Sequence, residues 1–258
     1  MEIAMVQMMV TADQWRNLEA AESYVAQAKR QGADLVVLPE MFVCPYDTAC
    51  FPQYAQKQGD TVWIALQTMA KAHNIHLIGG SVPELEDGKV YNTSYVFDPQ
   101  GNQIGKHRKI HLFDIDVAGG QYFKESDTLT AGDSPTVFDT PWGKVGVVIC
   151  FDIRFPDLAR QTVDLGAKAI FVPAAFNPTT GPAHWELLFR GRAVDNQCYT
   201  VGVSSACPET GYQAYGHSIA VSPWGTVLHQ MDDRTGMVLV DLDMDYVDSV
   251  RSQIPLGL

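Results

Sequence analysis

The sequence predicts an α/β protein in which two mixed sheets pack face to face between outer helices, a four-layer α-β-β-α sandwich with an internal pseudo-two-fold repeat. Short apolar runs of strand length alternate with amphipathic helical segments, the order of a βαβ architecture. That order then recurs. Gly32-Ala33-Asp34-Leu35-Val36-Val37-Leu38-Pro39 is echoed by Gly166-Ala167-Lys168-Ala169-Ile170-Phe171-Val172-Pro173, and Ser94-Tyr95-Val96-Phe97-Asp98-Pro99-Gln100-Gly101 by Ser218-Ile219-Ala220-Val221-Ser222-Pro223-Trp224-Gly225. A looser echo joins Gly79-Gly80-Ser81-Val82-Pro83-Glu84 to Ser204-Ser205-Ala206-Cys207-Pro208-Glu209. A unit used twice, with helices on one face of each sheet, leaves two open faces that are buried by packing together. Residues 1–258 are therefore read as one domain, with 46% hydrophobic and 10% aromatic residues to fill its core.

In chain order, a strand from Glu2 to Met8 leads to Thr11-x-x-Gln14, the pattern of a capping box, and to Trp15, Leu18, Ala21, Val25 and Ala28 at helical spacing, closed by Gly32. Leu35 to Leu38 reads as a buried strand stopped by Pro39-Glu40. A loop from Phe42 to Gln58 ends at Asp60, an N-cap for a second helix with Val62, Leu66, Met69 and Ala70 on one face. His76 to Ser81 is a strand, and Tyr91 to Asp98 with Gln103 to His107 a hairpin around Pro99-Gln100-Gly101. In the second half, a strand from Val145 to Cys150 precedes a helix through Leu158, Ala159 and Thr162.

Composition narrows the function. Acidic residues outnumber basic ones 30 to 18, for a net charge of -12, and no basic run exceeds Lys106-His107-Arg108-Lys109. Nucleic acid and anionic membranes are poor partners for that surface. No apolar run approaches the roughly 18 residues that span a bilayer. The start, Met1-Glu2-Ile3-Ala4-Met5-Val6, has an acid where a signal peptide needs a basic segment. Five cysteines without a CxxC spacing point to a reduced, cytoplasmic protein with no structural zinc.

The candidate chemistry lies at strand ends. Cys150 stands where an apolar strand gives way to a turn, the edge at which α/β proteins bind ligands, and the N–H groups of the turn and helix favour a thiolate there. Inert packing is the competing reading of a buried thiol. Glu40 likewise stands at the C-terminal end of an apolar strand, in the first half, as a proton-transfer carboxylate or else an exposed loop acid. Lys109 lies in a basic run that by spacing alone reads as a solvated face. His107 and His111, four apart, imitate a helical metal pair but have no third ligand nearby in sequence, so neither a metal nor another cofactor is expected.

Leu38-Pro39-Glu40, His107-Arg108-Lys109-Ile110-His111-Leu112-Phe113 and Ile149-Cys150-Phe151-Asp152-Ile153-Arg154-Phe155-Pro156 together resemble the three motifs of the nitrilase, or carbon–nitrogen hydrolase, superfamily. Phe113 to Val117 and Phe176-Asn177-Pro178-Thr179-Thr180-Gly181-Pro182-Ala183-His184-Trp185-Glu186-Leu187-Leu188 are similar to segments of its omega-amidase branch. True nitrilases carry Trp-Glu after the cysteine, and Phe151-Asp152 here points to amidases instead. The resemblance implies Cys150 as nucleophile, Glu40 as general base, Lys109 as electrophilic cation and Glu125 as its supporting carboxylate, with the Phe151 N–H in the oxyanion hole. It implies a cysteine amidase without cofactor acting on a small amide. Deaminated-glutathione and N-carbamoyl amide hydrolases, and a catalytically idle ligand-binding member of the fold, are the alternatives.

Arg154, four residues beyond Cys150, has the planar fork that captures a carboxylate, unless it pairs internally with Asp152 or Asp157. An acidic protein that takes an anionic substrate needs such a local cation. Tyr46, Thr179 and Thr180 are candidate hydroxyl donors to the same carboxylate, and Phe113, Phe151 and Phe176 candidate walls. The expected substrate is a short dicarboxylic acid monoamide of the 2-oxoglutaramate or 2-oxosuccinamate type. A homodimer is also expected, from the resemblance and from Leu158 and Val163, read as more apolar surface than one core needs.

Overall fold

The computed structural model describes residues 1–118, 121–208 and 211–257. In chain order its first half runs β1 (Glu2–Gln7), α1 (Gln14–Arg30), β2 (Leu35–Val37), α2 (Phe51–Tyr54), α3 (Thr61–His73), β3 (His76–Ile78), β4 (Val82–Glu86), β5 (Lys89–Phe97), β6 (Gln103–Arg108), β7 (Asp114–Asp116) and β8 (Tyr122–Lys124). The second runs β9 (Thr136–Thr140), β10 (Gly143–Val147), α4 (Pro156–Asp164), β11 (Ala169–Ala174), α5 (Gly181–Asn196), β12 (Tyr199–Ser204), β13 (Ile219–Val221), β14 (Val227–Gln230), β15 (Gly236–Asp241) and α6 (Met244–Gln253).

The repeat is visible strand by strand. One sheet carries β15-β1-β2-β3-β5, with β6 on the far side of β5, and the other β9-β10-β11-β12-β13-β14. In both, the second, third and fourth strands are parallel and the flanking pairs antiparallel. β4 has no counterpart among the described residues of the second half; it forms an edge hairpin with β5 through Asp87-Gly88. The sequence shows this Asp-Gly signal, but Pro83 hides the strand before it. Glu209, in the loosest of the three echoes, lies outside the described residues.

Each strand divides its side chains between layers. Ala4, Val6, Val36, Leu38 and Leu77 pack on Leu18, Ala21 and Val25 of α1 and Leu66 and Met69 of α3. Ile170, Val172 and Ile219 pack on Leu158 and Val163 of α4 and Trp185 and Phe189 of α5. Between the sheets, Met5, Leu35, Val37 and Ile78 meet Val145, Val147, Phe171 and Val201, so the two open faces form the central layer of the sandwich. Leu158 and Val163 are thus buried in their own chain and are not surplus surface.

Two local readings change. Asp13 caps α1, its Oδ1 accepting from the N–H of Trp15 and Arg16, while Thr11 turns to Asn17; Trp15 stands 63% exposed beside the apolar stripe. A shorter reach favours aspartate here, because Asp13 immediately precedes the first helical residue. The catalytic-motif strand ends at Val147, and Cys150 opens a 3₁₀ turn, Cys150–Arg154, with φ +45°. Among the described residues, no helix is long and apolar enough to cross a membrane.

Candidate active site

Glu40 follows the end of β2 in a turn that must come back sharply, and Met41 adopts φ +50° to do so. The link from β3 to β4 braces this turn. Ser81 donates its N–H to the Pro39 carbonyl at 3.2 Å and accepts from Met41 N with its hydroxyl at 3.1 Å. Gly80 makes the approach feasible, since a Cβ there would come within 2.1 Å of the Pro39 oxygen. Lys109, just past β6, is tied to β5 by its own N–H, which donates to Asn92 O at 2.9 Å. Glu125 begins the 3₁₀ turn after β8.

These segments bring Glu40, Lys109, Glu125 and Cys150 together, all four residues being buried. Lys109 Nζ donates to Glu40 Oε1 and Glu125 Oε1, each at 2.9 Å. Asn92 Nδ2 donates to Glu40 Oε1 at 2.8 Å, and Phe113 N to Glu125 Oε2 at 2.7 Å. One oxygen remains. Glu40 Oε2 is buried without a hydrogen-bond partner, on a carboxylate whose neighbour is the Cys150 thiol.

One ammonium serves two buried carboxylates, and this sets the protonation energetics. Burial, the largest influence, raises the pKa of Glu40; Lys109 opposes it and the Glu125 charge adds to it, leaving the group above its ordinary value. Burial alone would depress the Lys109 ammonium, yet Glu125 and Glu40 together hold it above the usual lysine range. The Cys150 thiol is pushed well up, by burial first and then by the Glu40 charge. The turn's N–H groups therefore do not leave a standing thiolate, and desolvation outweighs them. A thiol that stays protonated beside a carboxylate of raised pKa suits proton transfer on demand, at the moment of attack.

Tyr46 lies elsewhere than expected. Its hydroxyl donates to Glu125 Oε1 at 2.8 Å and lies 3.2 Å from Glu40 Oε1, so it orders the carboxylates and is not available to a substrate acid beside Arg154. Its ring packs against Phe51, Phe123 and Tyr212. Arg154, by contrast, shares a small cavity with Cys150, Phe113, Phe151, Phe176 and Thr180. The guanidinium lies over the Phe176 ring at 4.9 Å and the Phe151 ring at 5.5 Å, and one nitrogen meets His184 Nδ1 at 3.1 Å. Its Nε is buried and unpartnered, and among the described residues no carboxylate pairs with it. Asp152, the partner considered from sequence, is taken by His107 and His111, which sit on β6 and the loop after it and not on one helix face. Thr180 reaches the cavity but gives its hydroxyl to Asn177, and Thr179 is exposed. A larger cleft of about 520 Å³ is lined by Thr11, Glu40, Met41, Tyr46, Ser205 and Tyr212.

The carbon-nitrogen hydrolase family model matches residues 2–252. The chain belongs to the carbon–nitrogen hydrolase family. Within that family it is 48% identical over 255 residues to the omega-amidase NIT2 of Xenopus tropicalis, covering 98% of this chain and 92% of that protein. The crystal structure of Saccharomyces cerevisiae Nit3, of the nitrilase superfamily, superposes with a TM-score of 0.92 at 39% identity, covering 100% of this chain and 95% of that one. A glutamate-to-glutamine mutant of the amidase from Nesterenkonia sp. AN1, showing Michael addition of acrylamide at its active site cysteine, aligns with a TM-score of 0.81 at 26% identity over 98% of both chains. The family architecture, two sheets between helices, is the one found here.

Sequence reading missed Asn92 and underrated Asp152. Asn92 carried a usable signal, because an asparagine within the expected strand Tyr91 to Asp98 of a buried sheet has to satisfy its amide. Tyr212 gave none. It comes to the site from a loop, where its hydroxyl donates to Ala175 O at 2.7 Å.

Proposed function

We propose that the protein is an omega-amidase, hydrolysing the terminal primary amide of a short dicarboxylic acid monoamide to the dicarboxylate and ammonia. The carrying observation is Arg154, a half-buried cation with no carboxylate partner among the described residues, in the cavity that also holds Cys150. Burial already lowers its pKa, so an incoming carboxylate restores the charge balance that the chain leaves open.

In this reading Glu40 takes the thiol proton through Oε2 as Cys150 sulfur bonds to the amide carbon. The oxyanion is met by the Lys109 ammonium and the Phe151 N–H, each such donor being worth roughly 3 kcal/mol. Glu40 then returns the proton to the nitrogen, ammonia leaves, and the thioester remains. The same carboxylate deprotonates a water, whose attack releases the dicarboxylate and returns the proton to the thiol. Lys109 and Glu125 keep Glu40 placed through all these transfers.

Replacing Arg154 by Met is expected to lower kcat/KM for the acid about ten- to a hundredfold, the value of a buried charge-assisted contact of roughly 1.5–3 kcal/mol. It should cost little on a neutral amide of equal length. A panel of amides scored by ammonia release tests both points, and equal losses on acid and neutral substrates would remove Arg154 from the carboxylate site. Lys109→Met should abolish turnover and also destabilise the fold by about 3–5 kcal/mol, because two buried carboxylates lose their shared cation. A denaturant melt that matches wild type would count against that ion cluster.

Relatives named as omega-amidases weigh against the deaminated-glutathione and N-carbamoyl readings, and the complete Glu40, Lys109 and Cys150 set weighs against an idle scaffold. The five cysteines are all free, which fits a reducing, cytoplasmic setting. The homodimer is also part of this reading. Its support is no longer Leu158 and Val163 but the exposed apolar side chains Leu187, Val194 and Trp224, and light scattering at micromolar concentration tests it.

A further inference from the structure

We propose that Asp152 and His111 form a positioning latch that sets the Cys150 thiol against the Lys109 ammonium, while Arg192 separately sets the Arg154 end of the same turn. The 3₁₀ turn carries the nucleophile at its first residue and the candidate carboxylate binder at its last. Its two ends are held by different groups.

At the front, the buried Asp152 carboxylate accepts from Ile149 N at 3.1 Å, His107 Nε2 at 3.2 Å, His111 N at 2.8 Å and His111 Nδ1 at 2.9 Å. Ile149 immediately precedes Cys150, and His111 stands two residues after Lys109. One carboxylate therefore bridges the segment that bears the nucleophile and the segment that bears the cation. The His111 ring also stacks on Phe155, which closes the turn, with centroids 3.5 Å apart and planes 8° from parallel. Burial by itself would raise the pKa of Asp152, but the hydrogen bonds from His107 and His111 hold it well below the usual aspartate range, so the anchor stays charged. At the rear, Arg192 of α5 donates to Ile153 O at 3.1 Å and Arg154 O at 3.2 Å, and is braced by Asp195 at 3.2 Å.

The latch has something to hold. Cys150 sits in the left-handed region, a conformation that costs on the order of 1–3 kcal/mol and persists only where its surroundings fix it. Attack requires sulfur and ammonium to converge on one carbonyl group, and a misplacement of about 1 Å can cost about 10²-fold in rate. Loosening the front end disturbs a relation needed in the transition state and so lowers kcat. Loosening the rear end disturbs Arg154, which contacts substrate in the ground state too, and so raises KM. The Arg192 half rests on the carboxylate role proposed for Arg154; the Asp152–His111 half does not.

Asp152→Asn is the direct test but replaces one of the two oxygens, each of which accepts two hydrogen bonds, with a donor facing donors and so endangers folding; the His111 side chain is the better handle. His111→Phe keeps a ring on Phe155 and deletes the Nδ1 donor, whereas His111→Asn restores a donor without the ring. These variants and Arg192→Met are assayed on a dicarboxylic monoamide and on a neutral primary amide of equal length, alongside thermal melts. His111→Phe is expected to lose about ten- to a hundredfold in kcat on both amides with KM within about twofold, and His111→Asn to recover most of it. Arg192→Met should raise KM for the acid about tenfold, with kcat within about twofold and the neutral amide unaffected. The proposal is overturned if both His111 variants lose melting temperature yet keep wild-type kcat per folded enzyme, or if kcat and KM move together in all three. Failure of the carboxylate reading looks different: wild type would not distinguish acid from neutral amide, while the loss of kcat in His111→Phe would persist.

Discussion

Replacing Cys150 with alanine is expected to abolish ammonia release from every amide while the protein still folds and binds the dicarboxylate product. Loss of a nucleophile in other hydrolases costs on the order of 10⁶ in turnover, because no neighbouring group can form the covalent intermediate. Neither Tyr46 nor Cys44, which line the cleft beside Glu40, is a ready substitute, since the Tyr46 hydroxyl is held by Glu125 and the Cys44 thiol faces the Met41 carbonyl at 3.8 Å. The fold should tolerate the change. Alanine removes only the sulfur from a side chain packed among Ile149, Ile153 and Phe176, and it needs the same backbone conformation as cysteine. Ammonia release and calorimetric product binding are the two measurements. Turnover within tenfold of wild type would end the thiol mechanism.

Glu40→Gln is expected to lose at least about 10³ in turnover, within the range for a positioned general base, and to gain stability at neutral pH. The gain has a definite sign. Glu40 titrates higher in the folded protein than in the unfolded chain, whose glutamates ionise near pH ~4.3, so the folded state holds this proton more tightly. Below the unfolded value ionisation costs the fold nothing, and as pH rises through the folded value the cost of the buried charge is progressively incurred. Glutamine never incurs it. Its Oε1 can accept from Asn92 and Lys109 as the carboxylate does, and Lys109 keeps Glu125 as partner. The difference in melting temperature between variant and wild type should therefore grow in favour of the variant from acid to neutral pH. A variant that melts lower at pH 7 would mean that Lys109 more than offsets the burial of Glu40.

The sandwich was legible because its causes are local. Apolar runs of strand length, helical stripes such as Val62, Leu66, Met69 and Ala70, and the recurrence of a Gly-to-Pro segment each survive translation into three dimensions, and all four members of that stripe are buried. Glu40 and Cys150 were legible by position, each beyond the C-terminal end of an apolar strand, one in each half. Lys109 and Glu125 were not, for no spacing rule separates a buried lysine from a solvated one, and family resemblance carried them. What remained hidden depends on contacts distant in sequence. Tyr46 meets Glu125 across 79 residues, Asp152 meets His107 across 45, and Asn92 meets Glu40 across 52. Asp152 was matched to nearby Arg154, Tyr46 to a substrate carboxylate and Asn92 to nothing, and the burial of several elements together assigned each a distant partner.

The pairing of β1 with β15, Glu2 opposite Asp241 through Gln7 opposite Gly236, bears on how the chain is made. A ribosome releases the first strand more than two hundred residues before its neighbour, so β1 must wait with one row of backbone groups unsatisfied, the situation that invites pairing with a foreign strand. Its residues Ile3 to Val6 are wholly buried in the finished sheet and offer no charge to discourage such an encounter. Nascent chains stalled before residue 236 should therefore recruit holdase chaperones, and release should follow emergence of the last strand and not of the catalytic turn.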